Sequence, residues 1–314
     1  MQSRPEPSLL EAISSLSQVN GSQGRFIATI SPDWCTQHSV LGGYLTAVIL
    51  SAAQRYINAE PEVGIHKAKY PDPVHVFTQF LRMVTPGQVS ISCRTLRTTS
   101  RICVVNAELE VHPDEKYVSG TVSSQQSLAC TAIVTLSDLG KETGLSQSTA
   151  GSTTHPLPCR QTECVTIDDP VVDATPVTRK LQWVAPRSPD GLWGHRLGGH
   201  QREVWLSFRD GSKISDLLHL ALLADMPLQP PATHIADFYM RYALSTLCLS
   251  VEFKKRPEPE TEWVLLRSNS HKVADGRYDV NIEVFNEDEE VLALSNHVVY
   301  VSGLEGKSGK RARM

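Results

Sequence analysis

His38-Ser-Val-Leu-Gly-Gly-Tyr-Leu-Thr-Ala-Val-Ile-Leu-Ser-Ala-Ala-Gln-Arg-Tyr56 is the run around which the chain is organised. From Leu41 to Ala53 nearly every position is apolar or small, so no polar stripe at helical spacing is left to face water. A helix apolar all round must be buried. At roughly 15 residues it is short of the about 20 that a bilayer span needs, so the burial comes from protein, most simply from a sheet wrapped around it. Gly42-Gly43 at its N-terminal end lets a backbone or a ligand approach closely, and the free amides of a helix start suit a carbonyl oxygen or an anion.

Outward from this helix, the chain reads as alternating strands and turns. Ser8 to Val19 has helix-like spacing ended by Asn20-Gly21, and Arg25 to Ile30 is a short strand closed by Ser31-Pro32-Asp33. After the helix, Val74 to Val84, Val89 to Thr98, Ile102 to Val111 and Leu128 to Leu136 read as strands. Between Ser137 and Lys180 the composition turns to Ser, Thr, Gly and Pro, the mark of a linker or a long surface crossing.

The second half repeats the first. Glu203 to Phe208 stands where the strand around Phe26 stood, and Ile214 to Ala224 where the buried helix stood. Leu244 to Phe253 and Val291 to Val301 match the strands Phe77 to Val84 and Leu128 to Leu136, with a comparable hairpin region between them. The layout is α+β, an apolar helix packed across a curved antiparallel sheet, occurring twice. Two copies can pair edge to edge, which covers exposed strand edges. The expected boundaries are 1–136 for the first unit, 137–180 for the linker, 181–303 for the second unit and 304–314 for a basic tail.

Composition narrows the function. The chain has 314 residues and a net charge of −4, with no internal Lys/Arg cluster interleaved with aromatics, which argues against nucleic-acid binding. No apolar run reaches membrane-spanning length, and Met-Gln-Ser-Arg-Pro-Glu-Pro at the start lacks a secretory pattern, so an intracellular, cytoplasmic protein is expected. The seven cysteines are odd in number and scattered, and Cys159 and Cys164 have no partner pair at zinc spacing, so no metal site is expected. No Gly-x-Ser-x-Gly elbow or Gly-x-Gly-x-x-Gly is present, and Gly303-Leu-Glu-Gly-Lys-Ser lacks the spacer of a phosphate loop. The final Ala312-Arg313-Met314 fits the small-basic-apolar form of peroxisomal tripeptides, which makes the peroxisome the alternative compartment.

At the Gly42-Gly43-Tyr44-Leu45 helix start and the Ala224-Asp225-Met226 helix end, the chain resembles the double hotdog acyl-CoA thioesterases, the type II branch and its thioesterase-like relatives. The resemblance covers about Gly24 to Val301. It implies a double hotdog, two antiparallel sheets each wrapped around a long buried helix, and hydrolysis of an acyl thioester of coenzyme A or an acyl carrier, with no metal or redox cofactor. The family's second unit supplies an Asp after its buried helix, a Ser or Thr on the following strand and a Gln on the last strand, which together position water. Carried over, the Asp falls on Asp225. The hydroxyl falls on Thr246 with Phe253 as anchor, Ser245 being one register away on the other face. The Gln position falls on His297, a departure: Gln orients water, whereas His can also take a proton near neutral pH. His38, Gly42, Gly43 and Tyr44 fall where the family holds the thioester carbonyl. Two units in one chain already make the family's minimal pair, and further self-association is left open. Two other readings stay open: a dehydratase, isomerase or cyclase on the same fold, and an acyl-binding protein without catalysis.

Overall fold

A computed structural model describes residues 7–36, 39–58, 70–111, 127–147, 155–188, 193–226, 228–235 and 237–304. The expected helix over His38–Tyr56 is α2, Gly42–Asn58, and its positions from Gly43 to Ala53 are all buried. The two polar side chains at Thr46 and Ser51 do not break that burial, since Thr46 Oγ1 bonds Thr78 Oγ1 at 3.2 Å. Around α2 lie β2 (Arg25–Ile30), β3 (Asp72–Phe80), β4 (Gly87–Thr98), β5 (Cys103–Val111) and β6 (Ser127–Ser137), with α1 (Leu9–Ser14) and β1 (Ser17–Gln18) before them. The second unit has β9 (Gln201–Phe208), α3 (Leu217–Leu223), the single turn α4 (Phe238–Arg241), β10 (Tyr242–Phe253), β11 (Val264–Asn269), β12 (Val273–Ala274), β13 (Arg277–Phe285) and β14 (Val291–Gly303).

The duplication read in the sequence is visible in strand order. The first unit runs β2-β4-β5-β6-β3 and the second, from the opposite edge, β9-β11-β13-β14-β10. The two meet where β3 pairs antiparallel with β10, from Cys248 opposite Gln79 to Glu252 opposite His75. The edge-to-edge pairing expected of the two units is thus present and joins their sheets into one continuous sheet, each unit's otherwise open edge being completed by the other's backbone. Side chains tie the seam. His75 Nε2 and Ser250 Oγ are 2.9 Å apart, Gln79 donates to the Leu247 carbonyl at 2.8 Å, and Arg256 Nε donates to Asp72 Oδ1 at 2.7 Å.

Two expectations need correcting. The second helix is shorter than Ile214 to Ala224, because the Asp216 carboxylate accepts the Leu218 amide at 2.8 Å and caps the helix there. The stretch from 155 to 180 is not a free linker. It forms the edge strand β7 (Cys164–Thr166) beside β8 (Leu181–Pro186), and it buries Ile167, Val172 and Val177 in the main core. Its proline-rich start also covers the outer face of the second sheet: Arg267 Nη2 donates to the His155 carbonyl at 3.1 Å, and Trp205 Nε1 to that of Pro158 at 3.1 Å. Between them Glu203, 0 % exposed, is bonded by Arg196 and Arg267 at 3.0 and 2.8 Å. Gly and Pro content read as solvent-exposed chain, whereas the carbonyls these residues present are the acceptors that the buried guanidinium groups need.

His38 and the basic tail with Ala312-Arg313-Met314 lie outside the described residues. No described helix is long and apolar enough to cross a membrane. Removing one cation from a buried carboxylate leaves charge uncompensated. Arg267→Ala is therefore expected to lower stability by about 3 kcal/mol, with Arg196 still in place, in a urea melt that leaves the denaturant slope unchanged.

Candidate active site

α2 and α3 meet end to start, and the closeness of that meeting builds the site. A Cβ placed on Gly43 would lie 2.8 Å from the carbonyl oxygens of Ala221 and Leu222 and 2.7 Å from Cβ of Asp225. One on Gly42 would lie 2.9 Å from Cζ of Phe80 and 3.0 Å from Asp225 Oδ2. The glycine pair therefore serves space and not backbone angle. In that space Asp225, two residues past the end of α3, accepts the Gly43 amide proton on Oδ2 at 2.7 Å. A carboxylate from the second unit thus sits on the positive end of the first unit's buried helix, a favourable place for negative charge.

Asp225 is 9 % exposed at its side chain. Burial pushes its pKa up to about 7, with the Gly43 N–H pulling the other way. Beside it is His297, on the inner face of β14, with Nδ1 3.4 Å from Asp225 Oδ1. Its Nε2 is 3.1 Å from the Ala224 carbonyl and 2.8 Å from Ser295 Oγ. Burial brings the imidazole down to about 4, opposed by the bond to Ala224. Two buried titratable groups in contact, one pushed towards neutrality from below and the other away from it, form an acid–base pair able to hold one proton.

Thr246 reaches the same face through a bulge. In β10, Leu249 stands opposite His297, and the register slips between Cys248 and Thr246, leaving Leu247 out of the pairing. Thr246 then stands opposite Val299 and Ser245 opposite Tyr300. Strict alternation from Phe253 through Leu249 would turn Ser245 inward; the bulge turns Thr246 inward instead. Among the described residues the Thr246 hydroxyl has no hydrogen-bond partner, which leaves it available to a ligand.

Tyr44 is placed differently from a substrate contact. Its side chain is in the core, 1 % exposed, with its ring stacked on Trp34 at 5.3 Å. Its backbone amide is another matter, because among the described residues it has no acceptor, while the next amide, Leu45, bonds Leu41. The Gly43 amide, expected to face a carbonyl oxygen, is already given to Asp225. Reading the sequence missed Ser295. Period-two alternation back from His297 along the same strand face would have found it. No group of three or more His, Cys, Asp or Glu side chains arranged for a metal occurs among the described residues.

Asp225 and Gly43 give two tests. Because the Asp225 carboxyl holds its proton up to about 7 in the folded chain and only to about 4 when unfolded, stability contributed by the neutral form is lost as pH rises between those values. Asp225→Asn, which keeps an acceptor for Gly43, is expected to be more stable than the natural protein at pH 8 by about 2–4 kcal/mol, the difference shrinking as pH falls and closing below about pH 4. A gap between the two melting curves that is the same at pH 8 and at pH 4 would contradict this. Gly43→Ala is expected to cost about 1–3 kcal/mol by forcing α2 and α3 apart, read in the same melts.

Residues 30–137 match the family of acyl-CoA thioesterase N-terminal domains and residues 161–301 the family of acyl-CoA thioesterase C-terminal domains. Among curated proteins, a thioesterase-like protein, TwmA, from Talaromyces wortmannii is 34% identical over 68 residues. That match spans 21% of this chain and 20% of the relative. Solved structures cover the whole fold. A putative thioesterase II from Thermobifida fusca YX has a TM-score of 0.69 at 18% identity, over 95% of this chain and 99% of its own. A hot dog fold protein of unknown function from Alicyclobacillus acidocaldarius gives 0.71 at 16% identity, over 95% and 99%. Acyl-CoA thioesterase II TesB2 from Mycobacterium marinum gives 0.65 at 15% identity, over 95% and 99%. At such identities these likenesses speak for the fold, which is a double hotdog.

Proposed function

The chain belongs to the acyl-CoA thioesterase family, and from that premise we propose that it hydrolyses an acyl thioester, an acyl-CoA first among candidates, to the free acid and the thiol. The observation that carries this is the Asp225 carboxyl, anchored on the Gly43 amide, in contact with His297 and with a pKa brought near 7. A base with that pKa is matched to proton transfer at neutral pH.

In the reaction, water attacks the thioester carbonyl carbon as ionised Asp225 takes its proton. The Thr246 hydroxyl holds the water or the carbonyl. The oxygen that becomes negative faces the start of α2, where the Gly42 and Tyr44 amides are the donors without an acceptor among the described residues. Collapse of the tetrahedral species breaks the C–S bond, and the proton held by Asp225 goes to the departing sulfur. His297 stands where the family's Gln orients water. Its contact with Asp225 lets it share that proton, which a Gln cannot do.

The same contact favours a second reading, removal of a proton next to a carbonyl in a dehydratase, isomerase or cyclase, since an Asp/His pair suits that step equally well. An acyl-binding protein without catalysis is the third. They separate in one assay of thiol release from short, medium and long acyl-CoAs, with an enzyme-only blank because Cys159 is exposed. Hydrolysis predicts turnover that rises with pH through about 7, falls about 100-fold or more in Asp225→Asn and drops in His297→Ala. No thiol release from any chain length would reject hydrolysis, and unchanged turnover in Asp225→Asn would reject this site.

A further inference from the structure

His297 is held by more than the carboxylate beside it. A backbone carbonyl only accepts, so the 3.1 Å contact to Ala224 requires the imidazole proton on Nε2. Ser295 Oγ lies 2.8 Å from that same nitrogen, from two positions earlier on the same strand face. Ser295 stands opposite Val251 and Ile282, both buried, so its hydroxyl has an apolar wall on either side. In a neutral ring with Nε2 protonated, Nδ1 is a bare lone pair, and it is aimed at Asp225 Oδ1. A lone pair facing an ionised oxygen repels it; a proton between them removes the repulsion.

We infer that Ser295 is a positioning residue which, with the Ala224 carbonyl, fixes the Nε2 proton of His297 on the protein and turns Nδ1 to Asp225, so that Oδ1 and Nδ1 hold one proton between them. This rests on reading Asp225 as the base. The proton that Asp225 takes from water is kept as Oδ1–H···Nδ1 and returned from there to the departing sulfur, so none is lost to solvent between the two halves of the reaction. A Gln at position 297 would offer its amide N–H to the carboxylate and favour the ionised form instead.

The groups facing the pair are few. α2 contributes the Gly43 amide, the turn after α3 the Ala224 carbonyl, β10 the apolar Leu249 and the neutral Thr246, and β13 Tyr278. Tyr278 donates to Gln229 Oε1 at 2.7 Å, and burial, with the neighbouring Tyr239 and Asp225 charges, pushes its pKa up, so it stays neutral. The electrostatic balance at Asp225 thus depends on which nitrogen of His297 bears the proton.

Two readouts test this, one independent of turnover. In histidine-labelled protein, nitrogen NMR is expected to show His297, assigned by its loss in His297→Gln, as the neutral form protonated on Nε2. Ser295→Ala is expected to blur that state, lower kcat several-fold and move the acid limb of the thiol-release profile down by about half a pH unit or more, because the protonated carboxyl loses its fixed acceptor. Ser295→Thr, which restores a hydroxyl, is expected to recover both, and Ser295→Cys, near in size but a weak acceptor, to behave as the Ala variant if that one does not fold. Ser295→Ala or Ser295→Cys with the natural tautomer and acid limb would overturn the inference. Full turnover in Asp225→Asn together with a tautomer that answers to Ser295 would instead overturn Asp225 as the base and leave the positioning of His297 standing, whereas no thiol release from the natural protein would overturn the hydrolysis reading.

Discussion

The bond from the Gly43 amide to Asp225 Oδ2 joins the buried helix of one unit to the end of the helix in the other. For it to form, α2 and α3 must approach until a methyl group at position 43 would collide with two carbonyls. That approach closes the space around Asp225, and the closure raises the carboxyl pKa. Helix packing and acid–base chemistry are consequently one constraint. A looser crossing would return water to the carboxylate and drop its pKa towards that of an ordinary surface aspartate.

Against burial, the site supplies few compensating groups. One amide bond favours the ionised carboxyl, and one imidazole lone pair favours the protonated one. With so few partners the balance sits near neutrality. A ring of donors around Asp225 would have held it ionised, as the bonds from His271 and the Lys272 amide do for the half-exposed Asp279, whose pKa is brought down to about 2.

Much of this was legible in the residues. An all-apolar helix of that length has to be enclosed, and the repetition of strand, helix and hairpins gave two enclosures. Asp225 came from the family resemblance, which sets an Asp after the second unit's buried helix. What the residues did not disclose depends on backbone events that side-chain types only weakly encode. The bulge at Leu247 reverses which of Ser245 and Thr246 faces inward, yet both are small hydroxyl residues at home in a strand. Asp216 makes α3 start late although Ile214 before it is as apolar as the helix proper. Tyr44 read as part of a ligand-facing helix start, but its ring packs on Trp34, a contact ten residues away that no periodicity reports. The segment from 155 to 180 looked like chain in solvent because, besides a few buried side chains such as Ile167, Val172 and Val177, it contributes carbonyl oxygens, which every residue has.

The cap on α3 carries a consequence for the duplicated architecture. By the symmetry of the strand order, the start of α3 is the counterpart of the start of α2. At α3 the amide of Leu218 is taken by the Asp216 carboxylate and that of Asp216 by His219 Nδ1. The helix has sealed itself with its own side chains. The two copies have therefore diverged into different parts: among the described residues one unit gives a helix start with open amides, and the other an acid–base pair beside it.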